Sequence, residues 1–291
     1  MTAKQRASWM VYPAILVLAL IVIFPMIFSI NVSVRAYDIR IKEHPFIGLQ
    51  NFISVLKNRD FFGAVSITGI MIVAELALEL LLGMLVALAL MNLPSGRKVF
   101  QPLMLIPMMV MPVVIGYMGR LVFEVRSGPV NYFLNLLGME SLRWHASAQL
   151  SLVTIIILRL WQWTPFVTAV FLAGLLSLPV EPYDSAQVDG ASARQVFFLI
   201  SVPMLRPVIT LIVIMRALEI LQTFDITYVL TLGGPGTSSM TMSLYTYLLG
   251  FRYWDVGQTA AAAWLLMVPL SLLVTWFVRV MEKGAKSAEA K

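Results

Sequence analysis

Six long apolar stretches, at 10–33, 65–91, 99–123, 150–176, 204–222 and 259–280, recur along this chain. A bilayer core of about 30 Å takes about 20 apolar residues of helix, so each stretch can cross one. A run that is oily on every face has no place on the surface of a soluble domain. The polar connectors at 34–64, 124–149, 177–203 and 223–258 are too short to fold alone, and a very short one, NLPSGRK, occupies 92–98. Composition points the same way: 59% of residues are apolar and 12% charged, against about 45–50% and about 25% in a soluble domain. The expected fold is all-α, a polytopic membrane protein with six transmembrane helices and both termini on one side.

Several function classes fall away at once. The chain has no cysteine, which excludes disulfides and thiolate metal sites. His44 and His145 stand alone in polar connectors, without the neighbours of a metal site or a nucleophile–base pair. The formal charge of +6 is spread over loops and ends with no basic stripe. It reads as cations flanking spans beside membrane lipid, and not as a nucleic-acid surface. The Gly233-Gly234-Pro235-Gly236 run lacks the Gly-Lys-Ser/Thr ending of a phosphate loop and reads as a turn.

Lys4 and Arg6 precede an apolar run from Trp9 to about Val34, longer than a signal core of about 7–15 residues, so it is expected to be kept as the first span. Cations follow that span at Arg35, Arg40, Lys42, Lys57 and Arg59, which argues against an internal N-terminus. Arg97 and Lys98 in the second connector, and Arg279, Lys283 and Lys286 after the last span, argue for it. Counted over all flanks, the positive-inside rule places both termini, the 92–98 turn and the 177–203 loop in the cytoplasm.

That loop contains EPYDSAQVDG, residues 181–190. Pro182 suits a first helical position, where its missing N–H costs nothing. Glu181 and Asp184 lie at the end where the helix dipole favours negative charge. Gly190 suits the residue after the helix, where φ is often positive. Ser192 and Gln195 match a capping box, so a second helix starts at once and runs back toward the membrane. Pro203 and Pro207 mark a bend where it joins the fifth span. Periodicity leaves two roles open: a helix that settles the loop on the interface, or a lever moved by a partner.

DSAQVDGASARQVFFLISVPMLRP resembles the EAA signature of bacterial ABC-importer permeases. The signature runs Glu-Ala-Ala, three residues, Gly, then nine residues to Ile-x-Leu-Pro. Here Asp184, Ser185, Ala186, Gly190, Ile200, Val202 and Pro203 hold those positions, with Asp for the usual Glu and Ser for the first Ala. WMVYPAILVLALIVIFPMIFSINVS looks like the first span of the maltose/glycerol-phosphate type sugar permeases. FIGLQNFISVLKNRDFF (46–62), WQWTPF (161–166) and FDITYVLTLGGPGTSSMTMSLYTYLLGF (224–251) fit the first-permease subfamily. The resemblance implies a type I importer transmembrane domain of the bacterial inner membrane, comprising residues 65–280 with its signature loop at 177–207. Residues 1–64 would hold the first span and an extracytoplasmic loop, and 281–291 a cytoplasmic tail. It implies as partners a second homologous permease, two cytoplasmic ATP-binding subunits, a solute-binding protein and a small carbohydrate. It implies no cofactor and no catalysis by this chain. It makes 183–192 the coupling helix, with Tyr183, Asp184, Ser185, Ala186, Asp189, Gly190 and Ala191 at the ATPase.

Charges also lie inside the spans. Glu75 and Glu79 are four apart and share a helical face; Arg159 lies in the fourth span, and Arg216 and Glu219 in the fifth. Each costs about 2.5–3.5 kcal/mol in a bilayer centre, so each should face the bundle interior, a cavity or a partner. They are either a polar lining for a hydroxylated solute or structural pairs, such as Glu79 with Arg159 or Arg216 with Glu219. Trp161 and Gln162, beside Trp163, either hold a sugar ring or mark a membrane interface, with Pro165 bending the span. Gln222 and Asp225 at the end of the fifth span are further pathway candidates, with Glu79, Arg159 and Glu219. Pro102, Pro107 and Pro112 predict a kinked third span whose freed carbonyls need partners. Gly83 permits close helix approach. The competing reading is an ion- or proton-driven carrier relaying through Glu75, Glu79 and Arg159, but the paired repeats usual for such carriers are not visible.

Overall fold

The computed structural model describes residues 3–289. Helix is the regular structure among them, beside two isolated bridges, Arg35–Phe46 and Asp38–Asp255. In chain order the helices are α1 (Ala3–Ser33), α2 (Gln50–Lys57), α3 (Arg59–Met91), α4 (Pro94–Met104), α5 (Ile106–Met109), α6 (Pro112–Val122), α7 (Pro129–Leu136), α8 (Leu150–Leu176), α9 (Glu181–Val188) and α10 (Ala193–Val196). A π-helical segment, Phe197–Ser201, leads to α11 (Val202–Met204), α12 (Arg206–Leu221), α13 (Asp225–Leu230) and α14 (Met242–Tyr247). A second π segment, Leu248–Arg252, precedes α15 (Val256–Glu289). The all-α expectation holds. The chain divides into two units, residues 1–62 with 245–280, and residues 63–244 with 281–291.

In the first unit, α1 exposes large hydrophobic side chains all round, such as Ile21, Phe24 and Ile27. A helix with no polar face is stable only in a membrane or a larger core. The loop after it is tied down by Asn51, whose Nδ2 donates to the carbonyls of Ser33 and Arg35, both at 2.8 Å. Gly257 is needed at the start of α15, since a Cβ there would lie 2.6 Å from the Arg35 oxygen. Asp255 caps the same helix by accepting from Gln258 N at 2.9 Å. Farther along, Trp264 Nε1 donates to Ser29 Oγ at 3.2 Å, joining α15 to α1.

The second unit is built on α3 and α8. One core joins Met71, Ile115, Ile155, Leu158, Ile220, Ile226 and Leu230. A second joins Met84, Ala87, Val167, Phe171, Leu172, Leu205 and Ile212. Gly83 lets α3 approach α8: a Cβ there would meet Val167 Cγ1 at 2.6 Å.

Not every expected span is one straight helix. Among the described residues α1, α3 and α8 contain stretches long and apolar enough to cross a membrane by themselves. The third apolar stretch is broken, with a bend of 92° between Gly96–Met109 and Pro112–Val122. Its prolines remove ladder donors and clash with the preceding turn, so α4, α5 and α6 replace one kinked helix. Pro94 opens α4, so 92–98 is only in part a turn. The fifth stretch bends by 63° between Ala193–Met204 and Arg206–Leu221, between Pro203 and Pro207 as expected. The last apolar stretch lies within α15, one helix that continues to Glu289.

Candidate functional site

Five ionisable side chains from three helices converge in the second unit. Glu75 and Glu79 project from one face of α3, Arg159 from α8, and Arg216 and Glu219 from α12. Arg159 Nε donates to both Glu75 oxygens at 3.0 and 2.8 Å, and its Nη2 donates to Glu219 Oε2 at 2.7 Å. Arg216 Nε and Nη2 donate to the two Glu79 oxygens, both at 2.7 Å. Arg216 Nη1 donates to Glu219 Oε2, and Nη2 lies 3.8 Å from Glu75 Oε2. The Arg216 guanidinium lies over the Trp163 ring, 4.3 Å from its centroid.

Burial separates the members. Glu75 and Glu79 are fully buried, and Arg159 and Arg216 are 3% and 1% exposed, whereas the Glu219 side chain retains 34% exposure. Ionised side chains removed from water need this density of charge-assisted bonds. The expected Glu79–Arg159 pair does not form; Arg159 takes Glu75, one helical turn earlier, and Glu79 takes Arg216. The Arg216–Glu219 pair forms as expected. Sequence spacing put the two glutamates on one face, but only the relative depth of the three helices decides which arginine meets which.

Gln162 is buried, and its Nε2 donates to the Val110 carbonyl at 3.1 Å. Val110 lies at the break between α5 and α6, so Gln162 satisfies an acceptor freed by the prolines. Trp161, next to it, is 44% exposed. At the end of α12, Gln222 is exposed and Asp225 half-buried. Phe224 and Tyr228 stack beside them, with centroids 5.2 Å apart.

The 181–190 segment folds as its residues dictate. Pro182 lies in the first turn of α9, and Gly190 has φ +71° just beyond it. Ser192 forms the capping box with Gln195 in both directions. Asp184, Ser185, Gln187, Val188 and Asp189 are exposed, Val188 to 87%, while Ala186 is buried and Tyr183 half-buried. Ala191 N donates to the Ala186 carbonyl at 2.9 Å, which closes the helix end. The Tyr183 and Ser201 hydroxyls lie 3.0 Å apart, the latter at the end of the π segment. Sequence reading singled out neither Val188 nor Ser201. The helical turn could have revealed Val188, which points away from Ala186; nothing in the sequence signals a π segment.

Comparison with known proteins fits this geometry. Residues 79–287 match the family described as binding-protein-dependent transport system inner membrane component. A probable ABC transporter permease protein of Sinorhizobium fredii is 39% identical over 263 residues, covering 89% of this chain and 84% of that protein. The trehalose/maltose transport system permease protein MalF of Thermococcus litoralis is 31% identical, covering 94% of this chain and 92% of that one. A solved bacterial ABC transporter involved in the import of the acidic polysaccharide alginate has a chain that superposes with a TM-score of 0.82 at 23% identity, over 96% of this chain and 97% of that one. At that identity the likeness is one of fold. The chain belongs to the binding-protein-dependent transport system inner membrane components, the permease subunits of ABC transporters.

Proposed function

We propose that this permease forms part of the translocation pathway of an importer for a carbohydrate: a sugar, oligosaccharide, polyol or sugar phosphate. A second homologous permease completes the pathway, and a solute-binding protein delivers the cargo outside the cytoplasm. Two cytoplasmic ATP-binding subunits drive alternating access, with both termini of this chain on their side of the membrane. A carbohydrate cargo is supported by the trehalose/maltose permease, similar over nearly the whole chain.

One observation carries the mechanism. The short helix α9 has its outward face built from Asp184, Ser185, Gln187, Val188 and Asp189, and Gly190 and Ser192 turn the chain straight back into the bundle. A helix so anchored passes a push to its successor in the chain and does not swing free. Closure of an ATPase dimer against that face would move the α10–α12 run.

For the cargo, Trp161, Gln222, Asp225 and the half-exposed Glu219 are the pathway groups. Aromatic faces pack on sugar rings while carboxylates and amides bind hydroxyls. Glu79, Arg159 and Gln162 are too buried to touch a solute and hold the others: Arg159 fixes Glu219, Glu79 fixes Arg216, and Gln162 fixes the break at Val110.

The test is uptake of labelled sugar by the assembled transporter in proteoliposomes. ATP withdrawal should abolish uptake, and an ionophore should not. Gly190→Pro should insert normally yet lose both the ATPase subunits and uptake, because proline cannot take φ +71°. Uptake that persists without ATP and collapses with the ion gradient would establish the carrier reading instead.

A further inference from the structure

A push on α9 must enter the membrane bundle through some physical connection. The covalent route runs through Gly190, where φ is +71° and a Cβ would meet nothing within 4 Å. That turn is held by backbone bonds alone, Gly190 N to the Gln187 carbonyl at 3.1 Å and Ala191 N to the Ala186 carbonyl at 2.9 Å. Among the described residues, one side-chain hydrogen bond leaves α9 for another helical segment. It joins the Tyr183 hydroxyl to the Ser201 hydroxyl at 3.0 Å. The other α9 side-chain bond, Ser185 Oγ to the Glu181 carbonyl, stays within the helix.

Ser201 is well placed to receive force. It is 6% exposed and closes the π-helical segment Phe197–Ser201. Its carbonyl accepts from Leu205 N at 2.9 Å, directly before α12. Leu205 is fully buried in the core with Phe171 and Ile212. From there α12 runs to Arg216 and Glu219 in the charge cluster. The path from Tyr183 to that cluster therefore consists of one hydroxyl pair, one backbone bond and one helix. The π segment within it carries i→i+5 bonds in place of i→i+4. Conversion of such a segment to the α pattern moves the following helix by about one residue, roughly 100° of rotation and 1.5 Å of rise.

We propose that the Tyr183–Ser201 hydroxyl pair is the strut that carries displacement of α9 into α12, with Phe197–Ser201 as the segment that yields. The pair makes both side chains positioning residues for transport. Tyr183 thereby acts inward on its own chain and not on the ATPase. The proposal rests on the reading of α9 as the contact for ATP-binding subunits and adds the residue pair through which that contact acts.

The experiment uses the assembled transporter, with Tyr183→Phe, Ser201→Ala, the double variant and Ser201→Thr. Two quantities are read: the amount of ATPase subunit that co-purifies, and sugar taken up per ATP hydrolysed. Each hydroxyl deletion should leave the ATPase bound and lower uptake per ATP by roughly two- to tenfold, the range of one neutral hydrogen bond. The double variant should lose no more than the worse single, and Ser201→Thr should restore coupling because it keeps the hydroxyl. ATPase bound with uptake per ATP unchanged in both single variants, or losses that multiply in the double, overturns the strut alone. Failure of the unaltered permease to hold any ATPase subunit overturns the coupling reading and the strut with it. A purely structural role would lower thermal stability in proportion to uptake and leave the ratio to ATP unchanged, which also counts against the proposal.

Discussion

Arg216 and Glu79 lie 137 residues apart in the chain and meet in a two-point ion pair, Nε to Oε2 and Nη2 to Oε1, both at 2.7 Å. The fork of a guanidinium matches the two oxygens of a carboxylate, so the pair fixes orientation as well as distance. Glu219 Oε2 accepts from both arginines, and so one half-exposed carboxylate joins α3, α8 and α12 into a single electrostatic unit. Any movement of α12 must carry this knot with it or break it.

Charge balance makes the knot asymmetric. With all five groups ionised, two guanidiniums face three carboxylates, a net charge of −1. Loss of Arg216 leaves one cation against three carboxylates, whereas loss of Glu79 leaves two against two. Breaking a buried pair from one side costs about 3–5 kcal/mol. Arg216→Met should therefore show the largest fall in melting temperature of the detergent-solubilised protein, and Glu79→Gln a clearly smaller one. Arg216→Met combined with Glu79→Leu should recover part of the loss, since it restores the net charge of −1. Equal damage from the two single variants, or a double variant worse than Arg216→Met, refutes the charge-balance account.

The crossing of α3 and α8 depends on a missing side chain. A Cβ on Gly83 would lie 2.6 Å from Val167 Cγ1 and 3.2 Å from Thr168 N. Val167 is itself fully buried, so it has little room to retreat. Gly83→Ala should destabilise by about 1–3 kcal/mol, the usual cost of overpacking, read as reduced thermal stability and yield. Val167→Ala added to it removes the clashing methyl groups and should return part of the stability. A Gly83→Ala protein as stable as the parent would mean that the helices separate freely here.

The range of the forces involved decides which features can be read from sequence. The bounds of α9, the Gly190 turn and the Ser192–Gln195 box are legible because they arise within four residues of one another, through caps and backbone conformation. The bend before α12 is legible for the same reason, at Pro203 and Pro207. The pairing of Glu75 with Arg159 and Glu79 with Arg216 is not, because it is set by how deep three helices sit beside each other. The break of the third span into α4, α5 and α6 is foreshadowed by three prolines, but neither its 92° bend nor the bond from Gln162 on α8 to the Val110 carbonyl at the break has a local signal. The Phe197–Ser201 π segment has no local signature; FFLIS reads as ordinary apolar helix. Which pathway candidates stay exposed is likewise a matter of packing: Trp161 and Gln222 face outward, while Gln162 does not.

Val188 probes the outward face of α9. It is apolar, 87% exposed and at the end of α9, and its solvent-facing side chain has nothing in this chain to lose. A substitution there should change the stability of the permease by no more than about 0.5 kcal/mol. It stands with Asp184, Ser185, Gln187 and Asp189 on the exposed face of α9 that is proposed to meet the ATP-binding subunit. Val188→Asp should leave insertion and melting temperature unaltered and reduce ATPase co-purification by about tenfold, equivalent to about 1.4 kcal/mol. A photo-crosslinker at Val188 should reach the ATP-binding subunit, while one at Ala186, buried against its own chain, should mark this permease. If Val188→Asp binds the ATPase as the parent does, the docking face lies elsewhere on the loop, and the outward face of α9 loses its assigned role.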